Sequence, residues 1–167
     1  MFKVYKNYIP YSLINKVLIA QEKFKYSKLN YFRAQGTNHF ERPILDQYNN
    51  QINSIHNPHL LGFSRDLIKS IEKIIYHQNI SKALSSFTSH RDHIHWQSML
   101  FDKSTSTRLH QDTWYLDTVE RGKLVGIWIA LEDISIKSGP FIIYTNTDKN
   151  QINPNLYNFE DIEKDEK

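Results

Sequence analysis

The sequence predicts an α+β fold, with helices in the first half and short antiparallel strands in the second. Up to about residue 87, apolar residues recur every three or four positions, the period of one helical face. After residue 94 they alternate or run on among β-branched and aromatic residues, as extended chain does. Turn-forming clusters at Asp102-Lys103-Ser104, Arg121-Gly122-Lys123 and Ser138-Gly139-Pro140 divide the later runs. Helices followed by strands fit α+β better than alternating parallel units.

A first helix is expected over residues 11–24, where Leu13, Ile14, Val17, Leu18 and Ala20 share a face and Ser12, after Pro10, is a candidate cap. Residues 35–57 are polar, rich in Asn and without a period, so they read as loop with at most a short strand. Asn57-Pro58 then opens the clearest helix, because Asn caps well and Pro suits the first helical position. Leu60, Leu61, Leu67, Ile68, Ile71, Ile74 and Ile75 give it one stripe to bury. His77 and Asn79 close it, and a shorter helix follows over 80–87. These helices read as scaffold, and His39, His56, His59 and His77 as surface or capping residues.

The run His90-Arg91-Asp92-His93-Ile94-His95 has the composition of a metal site. On a strand, however, His90 and Asp92 face one way and His93 and His95 the other. It therefore reads as the start of a strand with polar side chains at a rim. Strands are expected at 95–101, 123–131 and 140–144.

The chain has 167 residues, about one domain's length, with 40% hydrophobic and 13% aromatic residues to build a core. We expect residues 1–90 to be mainly helical scaffold, 91–150 to carry the strands and the site, and 151–167 to be an acidic tail. No apolar run approaches a bilayer-spanning length, and the first residues have no secretory pattern, so a cytoplasmic protein without membrane contact is expected. With no Cys, His and carboxylates are left as the candidate metal ligands. Net charge is +3, concentrated before residue 34 in Lys3, Lys6, Lys16, Lys23, Lys25, Lys28 and Arg33 among several Tyr and Phe. Such interleaving occurs in nucleic-acid binders, but no groove-reading motif accompanies it, so a solvated helix face is expected instead.

The chemistry-bearing stretch is Leu109-His110-Gln111-Asp112-Thr113-Trp114-Tyr115. Side chains two apart on a strand share a face, so His110 and Asp112 aim an imidazole and a carboxylate at a common point. Fe(II) accepts such a pair within a facial triad that leaves positions open. The spacing alone is common, and a second copy stands at His90-Arg91-Asp92. Antiparallel strands bearing a His-x-Asp pair point to a jelly-roll barrel beneath the helices.

The segments HWQSMLFDK, LHQDTWYLDT, WIALEDIS and SGPFIIY, in this order over about fifty residues, resemble the phytanoyl-CoA dioxygenase family of Fe(II)/2-oxoglutarate oxygenases. The resemblance implies a double-stranded β-helix, iron held by His110 and Asp112, and 2-oxoglutarate lying against Met99 and Trp128. It implies hydroxylation of an aliphatic carbon in a small-molecule or lipid-like substrate. Both Met99 and Trp128 also read as core residues, although Trp128 shares its strand face with Gly126 and Ala130, which leave room beside the ring. Trp114 and Tyr115 would wall the substrate or simply pack, and Glu132 and Asp133 read as rim charges.

Two departures from the family pattern stand out. Thr145-Asn146-Thr147-Asp148 replaces the usual Pro-Gly-Ser-His turn, and after Asp112 there is no His and only one Arg, Arg121. The family takes its distal His ligand and 2-oxoglutarate-binding Arg from later strands. A jelly roll needs about eight strands, about twice what the sequence offers, so the barrel is expected to be incomplete. It would be completed by a missing C-terminal segment or a partner chain, or else be a degenerate, non-catalytic binding module.

Overall fold

A computed structural model of the chain describes residues 2–28, 30–34, 39–104, 110–112, 116, 118, 119 and 123–144. The fold divides into two compact units, Tyr5–Thr105 on one side and Met1–Val4 with Ser106–Lys167 on the other.

In the first unit, helix α1 spans Tyr11–Lys25 and buries Ile14, Val17, Ala20, Gln21 and Phe24 along one face. It starts at Pro10 with no side-chain cap, so Ser12 does not have the expected role. Its end is closed by the buried Asn30, whose Nδ2 donates to the Phe24 carbonyl at 2.8 Å. Helix α2 is Arg65–Ile75 and buries Leu67, Ile71 and Ile74. It packs against α1. Helix α3, Gln78–Thr88, begins at His77, whose side chain accepts from the Asn79 amide at 3.2 Å. His77 is thus a capping residue, as expected, but it caps the following helix.

Asn57 corrects the sequence reading. It has a left-handed backbone (φ 49°) and starts only a 3-10 turn, Pro58–Leu60, before the chain breaks and α2 begins. The cause is non-local: Asn57 Oδ1 accepts from the Ser98 amide at 2.9 Å, and the Asn57 amide donates to the Ser98 carbonyl at 2.8 Å. Its side chain is therefore engaged 41 residues away, and Leu60 and Phe63 are left exposed.

Strands are short. β1 (Phe32–Arg33) pairs antiparallel with β2 (Phe40–Glu41), and β3 (Ile55–His56) with β4 (Met99–Leu100). Ile55 faces Leu100 and His56 faces Met99. An antiparallel bridge from Ala34 to Ile55 joins the two ribbons. Phe32, Ile55 and Leu67 are fully buried, with Val17 and Phe24 nearly so, and Phe24 meets Phe32 at 5.8 Å. Each such side chain contributes about 1.5–3 kcal/mol by leaving water. The polar loop before β3 is ordered by its own Asx chemistry. Asp46 Oδ1 accepts from the Tyr48 and Asn50 amides, and Asn53 bonds Ile44, Arg42 and Glu41.

The fold is α+β, but no closed barrel forms among the described residues. The expected strand 95–101 shrinks to β4, and the described residues of 123–131 and 140–144 hold none. A strand persists only where a neighbouring strand pairs its backbone groups. The side chains of these runs stay out: Ile127, Trp128, Phe141 and Ile142 are 48–59% exposed. The His90–His95 run is not a strand either: His93 Nε2 lies 2.8 Å from Thr88 Oγ1, just past the end of α3. No described helix is long and apolar enough to cross a membrane.

Candidate metal site

His110 and Asp112 belong to the second unit. His110 Nε2 lies 3.3 Å from Asp112 Oδ1. No strand runs through 110–112, and the Asp112 carbonyl accepts from the Leu116 amide at 2.9 Å. Both side chains reach solvent, at 33% and 61% exposure, so a ligand can approach them.

The run 123–131 reaches the pair at Gly126. A Cβ built there would sit 3.6 Å from Asp112 Oδ2, in ordinary contact, so the backbone passes just beside the carboxylate. Two residues on, Trp128 stacks on Phe141 with centroids 5.7 Å apart and planes 14° from parallel. Half of each ring stays exposed, giving an apolar plate near the polar pair. Glu132 and Asp133 are exposed.

Met99 lies in the other unit, half-buried on β4 opposite His56. Leu109, Thr113, Trp114, Tyr115, Arg121 and the stretch 145–167 lie outside the described residues.

The pair suits a divalent cation. Nitrogen and oxygen donors on adjacent corners of an octahedron, with bonds of about 2.1 Å, stand about 3 Å apart. The observed 3.3 Å meets that requirement with little movement. Among the described residues, no group of three His, Cys, Asp or Glu side chains surrounds a common metal position. One imidazole and one carboxylate, both reaching solvent, make up the candidate site.

The sequence marks Gly126 only as room beside Trp128, and its contact with Asp112 is visible only in the fold. His56 and His59 read as surface or capping residues and His95 as a rim residue, because separations of three and thirty-six residues carry no motif.

A model of the phytanoyl-CoA dioxygenase family matches residues 18–167, and the chain belongs to that family. The curated proteins and the solved structures gave no significant match.

Proposed function

We propose that the chain is a non-haem Fe(II)/2-oxoglutarate-dependent dioxygenase that hydroxylates an aliphatic carbon of a small-molecule or lipid-like substrate. The observation that carries this is the 3.3 Å convergence of His110 and Asp112 inside a family-matched segment. His110 Nε2 and the Asp112 carboxylate would hold the metal on one side and leave the other corners for cosubstrate and oxygen. Bound iron would use O2 as oxidant, one oxygen atom replacing an unactivated C–H bond by C–OH and the other entering succinate as 2-oxoglutarate loses carbon dioxide.

The protein's own residues would bind and shield. Gly126 keeps a side chain out of the space beside Asp112. The Trp128–Phe141 stack offers an apolar face for the chain of 2-oxoglutarate or of the substrate.

The test is succinate release from 2-oxoglutarate with Fe(II) and oxygen. The parent chain is expected to produce succinate and Asp112→Ala to lose it; equal turnover by both removes the metal role.

The second reading is a non-catalytic binding module. It is favoured by the missing third donor among the described residues and by the lack of any His after Asp112. A partner chain or further segment would then complete the barrel. In that case metal binds weakly or not at all, and the succinate assay stays silent for every variant.

A further inference from the structure

Three histidines gather in the first unit, away from any motif. The rings of His59 and His95 meet edge to face, centroids 4.5 Å apart at 61°. Tyr76, just past α2, stands edge-on to His95 at 6.4 Å. His56, on β3, pairs with Met99 on β4. His59 Nδ1 lies 3.1 Å from Ser98 Oγ, and the backbone of Ser98 is held by Asn57 on both sides. Residues 94–98 are thus held through Ser98, by Asn57 and His59, and through the His95 ring, by His59 and Tyr76. Little apolar burial assists, since Ile94 is 91% and Trp96 72% exposed.

We propose that His59 and His95 form an acid-released latch. Neutral, the two rings seat residues 94–98 against the Pro58–Leu60 turn and α2, next to β4; both protonated, they repel and free that segment. Two cations at this separation resist joint charging.

The charged groups around the pair set the direction. Burial first, then the His95 charge, hold His59 below the ordinary imidazole value, with His56 adding to the effect and Glu72 on α2 opposing it. A group held low in the closed form gains its proton more readily once released. The closed state is therefore fully favoured above the ordinary value of 6.5 and weakens as pH falls below it.

The experiment is hydrogen exchange of the Asn57 and Ser98 amides in the full chain at about pH 7.5 and about pH 5.5, corrected for intrinsic rates. Protection is expected to drop in the parent and to drop less in His95→Gln, where the burial of His59 remains but the His95 charge is gone. Glu72→Gln, which removes a carboxylate favouring the charged ring, should deepen the drop. Equal pH dependence in parent and His95→Gln overturns the proposal. Should His95→Gln not fold, an NMR titration of the parent decides: linked, two-step titration of His59 and His95 supports the latch, and independent titration at ordinary values overturns it.

Discussion

Lys25 Nζ lies 2.7 Å from Asp102 Oδ2 and ties the last turn of α1 to the chain just beyond β4. The lysine side chain is only 7% exposed, and it also meets Glu22 at 2.8 Å. Burial opposes its charge, but the hydrogen bonds to Asp102 and Glu22 outweigh that and hold the ammonium above its usual value. Asp102 Oδ2 also accepts from the Gln51 amide at 2.7 Å. Asp102→Ala therefore strands a buried amide and weakens a buried ammonium that keeps Glu22. A loss of about 2 kcal/mol is expected in urea unfolding; a change below about 0.5 kcal/mol would mean the link is not formed in solution.

The aromatic core makes a second prediction. Phe32 is fully buried against Phe24, so Phe32→Ala should cost about 3–5 kcal/mol. Phe63 is 75% exposed, and Phe63→Ala should stay within about 0.5 kcal/mol. Urea midpoints of the two variants check both, and similar midpoints would contradict the packing.

Acid should loosen the polar loop before β3. The Lys103 ammonium first, then the Asn50 and Tyr48 amides and the Asn50 side chain, outweigh burial and hold the Asp46 carboxyl well below its ordinary 3.8. A depressed carboxylate adds stability that is fully present above the ordinary value and is lost as pH falls through and below it. Acid denaturation of the parent should steepen below about pH 4, and Asp46→Asn should flatten that slope. Identical acid profiles would show that the loop opens without this charge.

The contact between Gly126 and Asp112 separates size from chemistry. Alanine fits, since its Cβ would sit in ordinary contact at 3.6 Å, so Gly126→Ala should bind Fe(II) within about twofold of the parent. Gly126→Leu fills the space beside the carboxylate and should weaken binding by roughly tenfold or more, with little change in thermal midpoint. Equal binding by all three would place 123–131 away from the site.

The helices were legible because their signal is local: α1 and α2 each show an apolar stripe at helical spacing. The helix expected from Asn57 was misread because its partner, Ser98, is remote in sequence. The strands show the limit most clearly. Residues 123–131 have the composition of a strand, but composition carries no information about which segment would pair with it. His110 and Asp112 stand out in the sequence as a pair, although no strand runs through 110–112. Their third partner, if it lies in this chain, follows no spacing rule the sequence displays.

The central claim is that His110 and Asp112 share a cation. Titration of the full chain with Fe(II) without oxygen, or with Mn(II) followed by electron paramagnetic resonance, tests it without relying on turnover. About one equivalent is expected to bind, weakened roughly tenfold or more in both His110→Ala and Asp112→Ala, with folding retained. Binding that is unchanged in both variants would contradict the account.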